Sequence, residues 1–179
     1  MLSLIVGIFK LGVLAAILIC IYAVRKKSDD TRIVVEEITS PKLEKLTDQE
    51  AVLSVTMPLR NLEPEIGVAM DVFARPYLPQ EQFPWAKCWG QVELASKRRN
   101  DGYFESLLVS NKDAHTLIVT LTLEATGNLP MPEVLKKMVD MDVAMFLEGE
   151  GRKDIYRKKY YFTVLARDVK ALLGGEAHE

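Results

Sequence analysis

The amino-acid sequence predicts a mainly β protein: an antiparallel β-sandwich carried by a single N-terminal transmembrane helix, with one short inserted helix and one closing the chain. Three observations lead there. Leu2 to Val24 is an apolar run of 23 residues carrying one charge, Lys10. Beyond residue 50, apolar and polar residues alternate with period two in segment after segment, the pattern of half-buried strands. The connections between those segments are short and hold Pro, Gly, Asn and Asp, which turn a chain back on itself.

At about 1.5 Å per residue, the apolar run as a helix is long enough to cross a hydrocarbon core of roughly 30 Å. A cleaved secretory signal would carry basic residues in front, a shorter apolar stretch and a small-x-small cleavage site. Here no side-chain charge precedes Lys10, and Arg25, Lys26 and Lys27 stand where cleavage would fall. Ile19 precedes Cys20 where lipidation needs a small residue, so Cys20 reads as a thiol among lipid tails. An uncleaved single-pass anchor is therefore expected. Basic residues flanking a span are retained on the cytoplasmic side, which favours a cytoplasmic main domain. Lys10 works against this: if it snorkels to the N-terminal interface, only 14 apolar residues remain from Leu11 to Val24. An intramembrane cation also tends to face a partner, and Gly12 and Ala16 have the small-xxx-small spacing that admits close helix approach. Lys10, Gly12 and Ala16 are the candidate contacts to a membrane-protein partner or to a second copy of the chain.

Residues 1–27 are assigned to the anchor, 28–50 to a connector or edge strand, 51–173 to the sandwich and 174–179 to a loose tail. Four of the 23 Lys+Arg fall in residues 1–27, so the remainder carries 19 against 25 Asp+Glu, a formal charge of −6. An acidic domain is a poor nucleic-acid binder, and no nucleic-acid partner is expected. Cys88 is the one cysteine outside the span, so no disulfide forms within the domain.

Arg32 to Ile38 is β-branched, with Ile33 and Val35 on one face. Leu53, Val55, Met57 and Leu59 then alternate with Ser54, Thr56, Pro58 and Arg60; Pro58, lacking an N–H, belongs on an edge or near a strand end. After the turn at Asn61 to Glu65, Ile66, Val68, Met70 and Val72 alternate with Gly67, Ala69, Asp71 and Phe73, and the two strands are expected to form a hairpin. A loop rich in Pro and aromatics spans Arg75 to Trp85. Cys88, Gly90, Val92 and Leu94 share one face of the next strand, and Tyr103 to Val109 is a further strand. Leu117, Val119, Leu121 and Leu123 make the strongest inward face. Pro132 and Glu133 suit a helix N-terminus and open a short helix through Met138. Val143, Met145 and Leu147 alternate again, Tyr160, Phe162 and Val164 mark the last strand, and Ala166 to Leu173 is a closing helix. About seven strands on short connections suit a two-layer sandwich.

Chemistry is sparse. His115 and His178 are the two histidines, too few for a histidine triad or a His-rich metal site. Asp140 and Asp142 read as caps and turn formers, and Gly149-x-Gly151 lacks the rest of a phosphate fingerprint. No catalytic residue, cofactor or metal site is expected. Trp85 and Trp89, with Tyr77 and Phe83, suggest an aromatic patch. Lys97, Arg98 and Arg99, and Arg157, Lys158 and Lys159, are two basic clusters next to turns. If they meet in the fold they form a positive patch suited to a lipid phosphate or an acidic partner.

In outline the chain resembles single-span proteins with an immunoglobulin- or LEA-like sandwich, such as the water-stress LEA type-2 group. The strand order, with the Asn61 to Gly67 turn between two strands, is similar to the lumenal sandwich of seipins, whose second span has no counterpart after Leu173. The resemblance implies the fold only. The expected function is a non-enzymatic assembly or interaction subunit at the membrane surface. The alternative is a carrier whose sandwich holds lipid in a cavity lined by Met57, Met70, Met145 and Phe162.

Overall fold

The computed structural model describes residues 2–25, 30–111, 113–151 and 154–174. Lys26, Lys27, His178 and most of the C-terminal tail lie outside those residues. Leu2–Arg25 is one helix, α1, none of whose apolar window Val6–Ala23 is buried against the rest of the chain. It is long and apolar enough to cross a membrane. Strands follow as β1 (Thr31–Ile33), β2 (Lys42–Leu46), β3 (Glu50–Asn61), β4 (Gly67–Tyr77), β5 (Ala86–Leu94), β6 (Leu107–Val109) and β7 (Ala114–Ala125). The helix α2 (Met131–Lys136), strands β8 (Met141–Glu150) and β9 (Ile155–Val164), and the helix α3 (Ala166–Gly174) complete the chain.

Two antiparallel sheets form a sandwich. One runs in the order β1-β3-β7-β5, with β2 also paired to β3; the other runs β6-β4-β8-β9. Strands β3 and β7 are in register over their whole overlap, from Glu50 opposite Glu124 to Arg60 opposite Ala114. This pairing puts Leu53, Val55, Met57 and Leu59 beside Leu121, Val119, Leu117 and the start of β7, and their apolar face is fully removed from water. Val72, Ala74, Val143, Met145 and Leu147 close the core from the other sheet. The period-two expectation is met because one face of each sheet is buried and the other is not.

Pro58 sits inside β3, yet its missing donor harms nothing. Its carbonyl accepts the Val34 N–H at 2.9 Å, and a strand residue's N and O point to the same side. That side is where β1 ends at Ile33 opposite Leu59 and β2 has not begun, the gap being filled by the 3-10 turn Val35–Glu37. The same turn ends the first strand at Ile33, short of the expected Ile38, and the charged stretch after it forms β2.

The expected β3–β4 hairpin does not form. β3 and β4 lie in different sheets, so the Asn61 to Ile66 connection crosses the sandwich instead of folding one strand onto the other. Strand β4 also changes phase midway. Its register with β8 slips between Ala69 and Asp71, a bulge at Met70, so Ala69 before it and Val72 and Ala74 after it all point inward. Met70 itself is 42% exposed. The expected Tyr103 to Val109 strand contracts to β6, and of the four residues before it only Phe104 is buried.

The short helices are placed by polar groups at their ends. α2 starts after Pro130 with a Pro in its first positions and Glu133 in its first turn, burying Met131, Val134 and Leu135. Asp140 caps, but caps the later helix: its Oδ1 accepts the Ala166 N–H at 2.7 Å as α3 begins. Asp142 accepts the Thr163 hydroxyl across the β8–β9 pair at 2.7 Å.

Candidate interaction surface

The outer face of the four-stranded sheet carries the densest group of exposed aromatic side chains. Strand pairing aligns Phe73 with Phe146 and Phe146 with Lys159, and in the adjacent row Arg75 with Ala144 and Ala144 with Tyr161. Tyr77 stands at the end of the same face, opposite Asp142. The Phe73 and Phe146 rings stack with centroids 4.7 Å apart, at an interplanar angle of 10°. The Lys159 ammonium lies 5.1 Å from the Phe146 centroid and 4.7 Å from that of Tyr161. Contact with the Tyr161 side chain raises the Lys159 pKa, so the cation stays charged over the rings. Phe73, Tyr77 and Tyr161 remain largely open to solvent. A soluble surface rarely leaves such rings grouped without a use for them.

The two basic clusters belong to different sheets, one after β5 and one on β9, where Arg157 and Lys159 face outward and Lys158 alternates inward. Arg98 reaches across the five-stranded sheet, forks onto the Glu44 carboxylate with one bond at 3.0 Å, and approaches the Thr120 hydroxyl at 3.5 Å. The Arg98 hydrogen bond holds the Glu44 carboxyl below its usual range, so this pair supports the fold at neutral pH and ceases to as acid protonates Glu44. Lys97 pairs with Glu105 at 3.4 Å and Arg99 with Asp101 at 2.8 Å, the latter with its guanidinium 5.5 Å from the Tyr103 ring centre. On β9, Arg157 binds Glu148 at 2.7 Å, and Lys158 turns toward Asp30 at 3.0 Å and the Thr31 carbonyl at 2.8 Å. Of these six cations, all but Lys159 are matched by a carboxylate among the described residues.

The aromatic patch of the sequence divides in the fold. Phe83 is wholly buried, and Trp85 meets it edge-on with ring centroids 5.5 Å apart, itself covered by the Lys137 ammonium at 5.0 Å. Trp89 faces solvent on the outer side of β5, opposite Thr122. On α1, Gly12 and Ala16 share a face one turn apart. Lys10 precedes Gly12 by two residues and therefore lies roughly 200° around the helix from it, at 3.6 residues per turn. Nothing stands within 4 Å of where a Gly12 Cβ would be, so that face is open for close approach. The proposed carrier lining does not assemble, because Met57, Met145 and Phe162 are packed in the core while Met70 points out through the bulge.

Burial pushes the Cys88 thiol up from its ordinary value of 9.0 to about 12. With Cys20 changed to Ala, Cys88 in the folded protein should react with an aqueous thiol reagent at pH 8 roughly a thousand-fold more slowly than in denaturant, following its thiolate fraction. Comparable rates in the two states would contradict this placement. A thiol neutral in the fold supports it fully below pH about 9, and this support is lost as pH climbs toward about 12. Burial moves the Tyr160 hydroxyl in the same direction.

One residue gained a role the sequence did not indicate. Asn61, read as part of a turn, is buried and bonded through both side-chain atoms. Its Nδ2 donates to the Glu65 carbonyl at 2.6 Å and the Val109 carbonyl at 3.0 Å, and its Oδ1 accepts the N–H of Asp30 at 3.0 Å and of Glu63 at 3.1 Å. Among the described residues, no group of three or more His, Cys, Asp and Glu is placed to hold a metal ion. His115 points inward opposite Leu59, and its Nε2 finds no hydrogen-bond partner there.

No family model matches the chain, and no curated protein resembles it significantly in sequence. Solved structures with a similar course of chain include a protein from Archaeoglobus fulgidus, 11% identical with a TM-score of 0.41, covering 75% of this chain and 94% of its own. The GAE domain of GGA2p from Saccharomyces cerevisiae is 11% identical with a TM-score of 0.36, covering 75% and 96%. The yeast GGA1 GAE domain is 7% identical with a TM-score of 0.37, covering 75% and 98%. Likeness at this level assigns no activity.

Proposed function

We propose that the chain is a non-enzymatic interaction subunit tethered to a membrane by α1, with the sandwich on the cytoplasmic side. It holds a protein partner on the outer face of the four-stranded sheet. The observation that carries this reading is the stacked Phe73–Phe146 pair with Tyr77, Tyr161 and the charged Lys159 around it, all on one exposed face. Aromatic side chains that stand rigid before binding lose little entropy on contact, and with basic neighbours they suit the apolar centre and polar rim of a protein interface. The fitting partner presents apolar side chains edged by carboxylates, which would meet Lys159 and Arg75. Gly12 and Ala16 supply a second contact if the partner also spans the bilayer.

A photo-crosslinking amino acid placed at Phe73 or Tyr161 in native membranes tests this directly. A discrete adduct from both positions, absent from the same probe at the exposed Lys87 on the outer face of the other sheet, is expected. Lone, uncrosslinked chain from all three positions overturns the reading.

A further inference from the structure

The end of the sandwich nearest the anchor in the chain presents exposed aliphatic side chains. Asp30, the first described residue after α1, is locked to the β3–β4 connection: its N–H donates to Asn61 Oδ1 at 3.0 Å, and its carbonyl accepts the Leu62 N–H at 3.3 Å. Four residues, 26–29, separate Arg25 from Asp30. At about 3.6 Å per extended residue that connection reaches no more than roughly 18 Å, whatever its conformation. If α1 spans a bilayer, the Asn61 end of the sandwich is held within that distance of the end of the span.

Three separate segments present large apolar side chains at this end: Leu62 (49% exposed), Ile66 (56%), Leu108 (63%) and Ile155 (65%). The register shows how they group. Leu108 stands opposite Val68, Val68 opposite Glu150, and Glu150 opposite Ile155, one row across the four-stranded sheet, with Ile66 just beyond it. A single exposed leucine is ordinary, whereas four exposed aliphatic side chains from three segments at one short-tethered end give that end apolar area. In sequence, the three connections at this end hold Glu63, Glu65, Asp113 and Asp154 against Lys112, Arg152 and Lys153, so net charge does not draw them to an anionic surface. What they offer a bilayer is apolar area.

We propose that Leu62, Ile66, Leu108 and Ile155 seat in the interface of the bilayer that α1 spans, so that the sandwich stands on the membrane by its Asn61 end. This rests on the membrane-tethered reading above and deepens it. Leu108 and Ile155 lie on the outer face that also carries Phe73 and Phe146, at its membrane-proximal edge, so the aromatic part of that face stands farther from the bilayer where a neighbouring membrane protein can reach it. Zwitterionic lipid suffices, and salt has little effect.

The test uses the full chain with Cys20→Ala and Cys88→Ala, reconstituted in phosphatidylcholine vesicles. Spin labels go on Ile66→Cys, Ile155→Cys, Leu14→Cys in the span and Glu81→Cys at the far end of the sandwich. Labels at 66 and 155 are expected to relax more with dissolved oxygen and less with an aqueous nickel chelate than the label at 81, at a depth shallower than that at 14. If 66 and 155 match 81 while 14 reads as buried in lipid, the tether stands and this inference falls. Labels at 66 and 155 shielded from both relaxants would assign the patch to protein contact and also overturn it. A label at 14 open to the nickel chelate would remove the membrane reading itself.

Discussion

Replacing Asn61 by Ala is expected to lower domain stability by about 3 kcal/mol, or roughly 6–12 °C in Tm, read by thermal or urea unfolding. The substitution removes four hydrogen bonds, those to the Glu65 and Val109 carbonyls and those from the N–H groups of Asp30 and Glu63, and takes from the buried Val109 carbonyl its amide donor. A buried polar group left unpaired costs about 1–3 kcal/mol, so the loss exceeds the net value of one bond. The amide also joins three parts of the chain: the segment arriving from α1, the crossing connection and β6. Asn61→Asp separates hydrogen bonding from shape. Its carboxyl would put an oxygen against the Glu65 and Val109 carbonyls, where only a protonated acid can donate. The folded-state pKa is therefore raised, and the variant holds most stability below the unfolded Asp value of about 3.9 and loses it as pH rises. A variant with the same stability as the parent across that range would mean that the amide network does not hold this end together.

The buried faces of β3, β7 and β8 were legible because each strand alternates over at least three apolar positions and pairs along most of its length. What escaped the sequence did so for identifiable reasons. A six-residue-scale connection containing Pro64 can fold one strand onto the next or carry it to the opposite sheet, and local turn chemistry does not separate the two. The bulge at Met70 adds one residue to β4 opposite β8, and a single insertion reverses the parity of every side chain after it. Arg98 and Lys158 look free in the sequence because their acids are remote in the chain: Glu44 lies 54 residues from Arg98, and Asp30 lies 128 from Lys158. The Phe73–Phe146 stack joins residues from two strands through register alone. Phe73 was placed by its alternation, but its ring partner was not.

These two kinds of surface explain how one small domain divides its work. The inner faces are almost wholly aliphatic, with Met at Met57, Met131, Met138, Met141 and Met145 filling irregular space. The aromatic rings are instead displaced to the outer face, the connections and the strand edges, where stacking and cation contacts replace core packing. A sheet that needed rings only for stability would bury them. Phe83, Phe104 and Phe162 are buried, and Phe83, the most deeply placed of them, makes the opposite prediction from Phe73.

Phe83→Ala should cost about 3–5 kcal/mol, the effect of deleting a fully buried aromatic ring, whereas Phe73→Ala should cost under about 1 kcal/mol and act on partner binding. The loop around Phe83 is held from several directions. Its own N–H donates to the Pro79 carbonyl at 2.8 Å, Gln80 Nε2 donates to the Ala86 carbonyl at 3.0 Å, and the Thr126 hydroxyl donates to the Pro84 carbonyl at 2.7 Å. Those bonds fix the backbone, so the loop cannot collapse into the space the ring leaves, and the cavity term adds to the lost transfer energy. The edge-on contact with Trp85 goes with it, an arrangement worth about 0.5–1.5 kcal/mol. Phe83→Leu keeps most of the volume and should cost less than half as much. The ordering Ala, then Leu, then parent in urea midpoint, with Phe73→Ala close to the parent, is the expected result. An Ala variant at 83 as stable as the parent would show that the ring does not plug the far end of the sandwich, and that this loop, instead of closing the core, is free to serve as a binding loop.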